Sequence, residues 1–365
     1  MIPMNDFRAE PDELLRAQLA AAERVMRSGW YVLGKEVEAF EAAWALRCGA
    51  VHAVGVGNGM DAIEIGLRAL GIGAGDEVIT TPMTAFATVL AIVRAGAVPV
   101  LADIEPVTAL LDQESVARCI SPRTKAVLLV HLYGQMRDMV RWEGFCAERG
   151  IMLLEDCAQA HLAELGGRVA GGFGRFGAYS FYPTKNLGAI GDAGALVTSE
   201  PEIAARARML RNYGQSERYR HPELGMNSRL DELHAAILTE RLSWLDRFTA
   251  TRKGVAEAYY RGISNPRIGL LARPQESGSH VFHLFVVLCA ERDRLGRHLA
   301  EAGIGNHSHY PVPVHRQPPC AATRTDPLGL SNAERHAEQC LSIPCHPQMT
   351  GAQVEKVIEA VNGFR

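Results

Sequence analysis

The sequence predicts an α/β protein: a large domain built on a mostly parallel sheet, followed by a smaller C-terminal α/β domain. Three observations carry that prediction. Short apolar runs alternate with amphipathic stretches between about residues 51 and 198, the pattern of buried strands covered by helices on both faces. Glycine is abundant, with 35 residues against 4 Trp, 9 Tyr and 11 Phe, as many tight strand-to-helix turns require. A chain of 365 residues is too long for one small domain, and at about 100–200 residues per domain it divides into two.

Seven strands are predicted, over 52–56, 77–81, 99–103, 126–132, 151–156, 178–182 and 194–198. Helices are predicted between the early ones, at 61–70 and 87–94, and the stretch GIGAGDEV is a helix stop turning into the second strand. From 204 to 260 the pattern is helical, with Leu230, Leu233, Ile237 and Leu238 spaced for one buried face. The character changes near residue 249, which sets a large domain at 1–248 and a small one at 249–365, joined by a continuous helix. The N-terminal segment is free to pack on the small domain. There a strand at 281–288, a helix at 292–302 and a Pro-rich strand at 307–313 are expected. Ser331 and Glu334 have the spacing of a capping box, as do Thr350 and Gln353, which precede Val354, Val357, Ile358 and Val361 on one helical face.

Composition excludes several classes of function. A chain 47% hydrophobic and 22% charged is not disordered. A formal net charge of −3, from 38 Lys+Arg and 41 Asp+Glu, argues against nucleic acid or an anionic membrane as partner. No apolar run approaches the ~18 residues of a membrane span. The start, MIPMNDFRAEPDELLR, turns polar at once, so no secretory leader is expected. Eight scattered cysteines without a CxxC pair read as reduced thiols of a cytoplasmic protein.

Three segments can carry chemistry. After the first strand, Gly57, Asn58 and Gly59 turn directly into a helix, and a helix N-terminus approached through glycines suits a phosphate. The dinucleotide fingerprint fails here, because Met60 stands where its third glycine belongs; the glycines could also serve the turn alone. The fifth strand ends in LLEDCAQAH, which places Asp156 in the crevice at the carboxyl edge of the sheet, with Gln159 and His161 following. A buried carboxylate there needs a cation, and a protonated ring nitrogen is one; capping the next turn is the other reading. In SFYPTKNLGAIGDAGA, Lys185 follows an aromatic strand containing Ser180. The order of phosphate turn, Asp, then Lys is how pyridoxal phosphate is held: helix N-terminus for phosphate, Asp for ring nitrogen, Lys for the Schiff base.

These segments, with SGWYVLGKEVEAFE, RNYGQSERYRHPELGMNSRLDELHAA and HYPVPVH, make the chain resemble the DegT/DnrJ/EryC1/StrS sugar aminotransferases along nearly its whole length. The resemblance implies fold type I of the aspartate aminotransferase superfamily and pyridoxal 5'-phosphate as cofactor, with pyridoxamine 5'-phosphate as intermediate. It makes Lys185 the Schiff-base lysine and proton shuttle, and Asp156 the partner of the ring nitrogen. Gln159 is expected beside the cofactor ring. Gly59, the Met60 amide and the Ser180 hydroxyl are expected at the phosphate, completed by Asn227 from the second subunit of a homodimer with shared active sites. Two positions depart from the family. Met60 stands where many relatives carry a hydroxyl, and Ala85 where the ring-stacking aromatic usually stands, with Phe86 one residue later.

The implied reaction moves an amino group, with L-glutamate the usual donor, to a nucleotide-linked keto sugar by ping-pong kinetics. RNYG…NSRLDE and the NGMDA turn look most like enzymes aminating C3 of dTDP-3-keto-6-deoxyhexoses in deoxyamino sugar biosynthesis. C4 amination and UDP-3-keto sugars are the near alternatives. Tyr31, Tyr182, Arg229, His309, Tyr310 and His315 are candidates for contacting nucleotide or sugar, with plain packing or surface polarity the competing reading. A different class, a metal-dependent hydrolase, would use His307, His309 and His315 with Cys345 and His346, but no HExxH, CxxC pair or paired carboxylate supports it, and no metal is expected. Family dehydratases carry His in place of the lysine, and Lys185 argues against that branch.

Overall fold

The computed structural model describes all 365 residues. Two helices, α1 (Asp12–Ser28) and α2 (Lys35–Arg47), precede an alternating series. It runs β1 (His52–Val56), α3 (Gly59–Ala69), β2 (Glu77–Thr80), α4 (Phe86–Arg94), β3 (Val98–Leu101), α5 (Gln113–Cys119), β4 (Thr124–Val130), α6 (Met139–Glu148) and β5 (Met152–Asp156). The short hairpin of β6 (Glu164–Leu165) and β7 (Arg168–Val169) leads to β8 (Gly177–Ser180) and β9 (Gly194–Thr198). Then come α7 (Pro201–Leu210), α8 (Glu232–Leu242) and α9 (Leu245–Gly262), followed by β10 (Gly269–Leu270), β11 (Phe285–Leu288) and α10 (Arg292–Glu301). The chain closes with β12 (Arg324–Thr325), α11 (Ser331–Gln339), β13 (Cys340–Ile343) and α12 (Gly351–Asn362).

Alternation along the strands builds three layers. In β4, Val127 and Leu129 face one core while Ala126 and Leu128 face another, and β1 and β9 divide their residues in the same way. Phe40 and Trp44 of α2 and Leu238 of α8 cover the first face; Ile63 and Ile65 of α3, Ile92 of α4 and Ile203 of α7 cover the second. The strand order is β1-β9-β8-β5-β4-β2-β3-β12, parallel except for β9. All seven predicted strands are in this sheet. The eighth, β12, is two residues long and carries no periodic pattern that sequence could reveal. Its place beside β3 is secured instead by Arg324, which donates to Glu77 at 2.6 Å.

A separate C-terminal core gathers Val255 and Tyr259 of α9 with Phe285, Leu295, Val357 and Val361, and Ile2 of the N-terminus packs into it. Because Leu245, at the start of α9, belongs to the first core, one helix runs between the two. The antiparallel sheet β10-β11-β13 lies in this C-terminal part.

Four expectations are corrected. Residues 211–231 are not helical. Gly214 sits at φ +69° with no room for a side chain against the Glu223 backbone, and Arg211 is buried in contact with Glu41 and the Gly55 carbonyl. Leu230 is therefore buried from a loop, and only Leu233, Ile237 and Leu238 ride on α8. Residues 307–313 form one bridge, His307 to Ser342, and then leave the sheet, since Pro311 and Pro313 have no N–H to donate. The strand expected over 281–288 pairs only from Phe285 onward. Ser331 is the first helical residue of α11, not its cap: Asp103, after β3, accepts from Asn332 N at 3.0 Å and Ala333 N at 2.9 Å. The capping box of Thr350 and Gln353 on α12 is formed as expected.

The Asp103 cap is testable. Asp103→Ala is expected to cost about 1–2 kcal/mol, the usual worth of a cap, read as a lower urea midpoint, whereas Ser331→Ala leaves the midpoint in place.

Candidate active site

β5 ends on Asp156 and β8 on Ser180, in adjacent parallel strands, so both lie at the carboxyl edge where such sheets bind ligands. Two helix N-termini close on them. Asn58 caps α3 through a bond from Asp61 N to its side-chain oxygen at 2.8 Å, and the first intrahelical bond joins Ala62 N to Asn58 O. The N–H groups of Gly59 and Met60 are thereby left free for an anion. A Cβ at Gly59 would sit 2.7 Å from Ser180 Cβ, and one at Gly194 2.4 Å from the Asn58 carbonyl carbon. These glycines let the α3 turn press onto the end of β8. Met60 itself packs its side chain against the apolar core beneath α3.

Asp156 is 5% exposed. Its Oδ2 accepts from Thr88 Oγ1 at 2.8 Å, and its Oδ1 from Ala158 N at 3.1 Å. Burial raises its carboxyl above the usual range, opposed by these two donors and by the charges of Lys185 and His131. Lys185 is reached through a tight loop after β8, in which its N–H donates to the Tyr182 carbonyl at 2.8 Å and Gly188 lies against Pro183. Burial pushes its amine down to about 8, with Asp156 pulling the other way, and no hydrogen bond engages it. His161 is buried among Trp44, Tyr179 and Phe181, and its Nε2 donates to the Ser180 carbonyl at 3.0 Å. Burial lowers it to about 3, so it stays neutral.

Gln159 is buried and doubly held. It accepts from Tyr133 N at 2.6 Å and donates to the Tyr310 hydroxyl at 3.3 Å. Tyr310, from the C-terminal part, thus joins this group, and burial beside Asp156 pushes its phenol up to about 12. His309 bonds Ser342 Oγ at 2.8 Å through Nδ1; burial, with the charges of His307 and Lys185, lowers it to about 4. Phe86 is the first residue of α4 and 36% exposed.

Other candidates stand apart from this cluster within one chain. Asn227 is exposed, its backbone paired with Asn212. Arg229 donates to Asn212 Oδ1 at 3.1 Å, its guanidinium 5.4 Å over the Tyr213 ring. Tyr31 and Tyr182 are more than half exposed. His315, largely buried, bonds Glu334 at 2.9 Å on α11. The histidines of the hydrolase reading do not converge: His346 bonds Gln348, and Cys345 lies against the Arg252 carbonyl. His131, Glu155 and Cys157 do come together, but Glu155 is already taken by His131 and by the N–H groups of Gly171, Phe173 and Gly174. A cavity of about 680 Å³ bordered by Met1, Met4, Arg292, Arg297 and His307 opens beside the C-terminal core and is not lined by Asp156, Gln159, Ser180 or Lys185. Sequence reasoning missed Thr88. Its signal was a hydroxyl four residues after Thr84, on the buried side of an otherwise apolar helix.

A free helix N-terminus beside a serine, a buried carboxylate with one place left, and an unengaged lysine amine fit a phosphorylated carbonyl cofactor. This is the fold and site of a fold type I, pyridoxal-phosphate-dependent enzyme. Residues 13–362 match the model of the DegT/DnrJ/EryC1/StrS aminotransferase family, and the chain belongs to that family. It is 45% identical to the dTDP-3-amino-3,4,6-trideoxy-alpha-D-glucose transaminase of Streptomyces venezuelae, over 99% of this chain and 95% of that one. It is 42% identical to the dTDP-3-amino-3,6-dideoxy-alpha-D-galactopyranose transaminase of Aneurinibacillus thermoaerophilus, over 100% and 99%. The crystal structure of S. venezuelae DesV in complex with a ketimine intermediate superposes with a TM-score of 0.95 at 45% identity, covering 99% of this chain and 97% of that chain.

The Lys185 amine gives a pH prediction. Only the neutral amine attacks an aldehyde, so capture of pyridoxal phosphate by the cofactor-free protein should accelerate as pH rises through about 8 and then level off. Stopped-flow absorbance over pH 6–10 checks this; acceleration continuing towards the ordinary lysine value would show an unperturbed amine.

Proposed function

We propose that the protein transfers an amino group, from L-glutamate, to C3 of a dTDP-linked 3-keto-6-deoxyhexose. The observation that carries the proposal is the meeting of Lys185 and Asp156 at one end of the sheet beside the free N-terminus of α3. The choice of sugar is supported by the relatives named as dTDP-3-amino sugar transaminases; one named for a UDP-N-acetyl-3-dehydroglucosamine is 36% identical.

Bound pyridoxal phosphate supplies an aldehyde to carry the amino group and a protonated ring to accept electrons. In this reading the N–H groups of Gly59 and Met60 and the Ser180 hydroxyl bind its phosphate. Asp156 holds the ring-nitrogen proton, and Gln159 lies beside the ring with Phe86 as the available aromatic. Lys185 moves the substrate proton: an amine near 8 takes a proton and gives it back at modest cost near neutral pH. Tyr310, held by Gln159, His309 and His315 are the substrate candidates on the same chain, while the exposed Asn227, Tyr31 and Tyr182 and the half-buried Arg229 suit a site completed by a second subunit. A homodimer, a domain division near residue 248 and a cytoplasmic location belong to the same reading. No helix is long and apolar enough to cross a membrane.

Incubation with glutamate and a panel of dTDP- and UDP-linked 3-keto and 4-keto sugars, followed by identification of the aminated carbon, tests the assignment. Fastest turnover is expected with a dTDP-3-keto-6-deoxyhexose; preference for a UDP sugar or for C4 would replace it. The shared site has its own test. Lys185→Ala and Asn227→Ala are each expected to be impaired, yet subunit exchange between them regenerates one intact site per mixed dimer, restoring about a quarter of wild-type activity from an equal mixture. No recovery despite exchange would place Asn227 outside the partner's site.

A further inference from the structure

Thr88 is buried on α4, its hydroxyl 2.8 Å from Asp156 Oδ2 and 2.7 Å from the hydroxyl of Thr84, which is buried as well. A carboxylate oxygen only accepts, so Thr88 commits its single proton to Asp156. Thr88 Oγ1 must then accept from Thr84, which fixes the direction of both bonds. The two hydroxyl dipoles run head to tail towards the carboxylate, and in a dry site each strengthens the other. Neither hydroxyl serves its helix. Ala85 is the N-cap of α4 and forms no side-chain cap bond, and neither threonine returns a bond to a backbone carbonyl. The neighbours Val89, Ala91 and Ile92 are apolar, so valine would fill both positions at nearly the same volume. The other oxygen, Oδ1, is held by Ala158 N, so the plane of the carboxylate is fixed from two separate elements.

We propose that Thr88, backed by Thr84, is a positioning residue that keeps Asp156 ionised and oriented towards the ring nitrogen of pyridoxal phosphate. The proposal rests on the reading of Asp156 given under Proposed function. Asp156 is buried and pushed towards its neutral form, and Thr88 is the foremost of the groups opposing that. Without the Thr88 proton, the carboxylate becomes the stronger base of the pair. Asp156 would then take the proton from the ring nitrogen, an O–H bond formed for the N–H bond broken, with no net change of charge. A neutral ring nitrogen withdraws electrons less strongly, and proton removal by Lys185 slows.

The test reads the ring nitrogen directly, by ¹⁵N NMR of protein loaded with ring-labelled pyridoxal phosphate, together with the cofactor dissociation constant. Thr88→Val is expected to move the resonance towards the deprotonated value and to weaken retention roughly tenfold, the effect of losing a hydrogen bond to a charged group. Thr88→Ser should stay near wild type, because it keeps the proton. Thr84→Val, which does not touch the carboxylate, should move the resonance the same way by less, and it carries the test if Thr88→Val does not fold. Asp156→Asn marks the full effect. A wild-type resonance and affinity in both valine variants, with Asp156→Asn displaced, overturns the role of the threonines alone. If Asp156→Asn also matches wild type, the assignment of Asp156 itself falls.

Discussion

Burying one carboxylate at the end of a strand is the constraint around which the site is organised. An ionised group taken out of water costs several kcal/mol even after relaxation. Two hydrogen bonds to a charged oxygen return about 1.5–3 kcal/mol each, which offsets much of that cost without removing it. Asp156 accordingly stays raised despite Thr88 and Ala158, and Lys185 supplies the remaining positive charge. A protonated ring nitrogen would complete the balance. The same burial acts on Lys185 with the opposite sign, lowering its amine to about 8. One dry crevice thus makes the carboxyl weaker as an acid and the amine readier to release its proton, and the second effect is what a proton shuttle needs.

Carboxylates from distant segments also decide how the helices are set. Glu232 on α8 accepts from the N–H groups of Gly34, Glu36 and Val37, capping α2, whose own N-cap is a glycine. Asp103 does the same for α11. Glu155, beside Asp156 on β5, gathers the backbone of Gly171, Phe173 and Gly174 and so fixes the approach to β8, the strand that presents Ser180. Glu77 and Asp326 pair with Arg324 and Arg118 and fasten the 324–333 stretch to the edge of the large sheet. The C-terminal part is thereby anchored where Tyr133, which donates to the His309 carbonyl at 2.5 Å, holds the segment carrying Tyr310 beside Gln159.

Resemblance and chemistry together pointed to a set of candidate residues, and the structure brings Gly59, Asp156, Gln159, Ser180 and Lys185 to one edge of the sheet. The candidates carried on loops were another matter. Arg229 and Asn227 lie in a stretch that periodicity predicted as helix, because Leu230 continues the apolar spacing of α8 backwards. Close packing around Gly214 and the burial of Arg211 prevent that helix, and neither is visible in a hydropathy pattern. The Ser331 cap failed for a related reason: a better acceptor, Asp103, arrives from far away in sequence and moves the start of the helix.

By itself the sequence determined the elements whose information is local. The seven longer strands, the turn into α3 and the capping box of α12 all rest on residues a few positions apart. Tertiary structure alone decided what depends on convergence: the eighth strand, the caps supplied by Glu232 and Asp103, Tyr310 reaching Gln159, and Thr88 reaching Asp156. The physical reason is that a buried polar group must find a partner, but sequence records only the need. Which partner meets it is settled when the sheet twists its strand ends and the helix N-termini into one place.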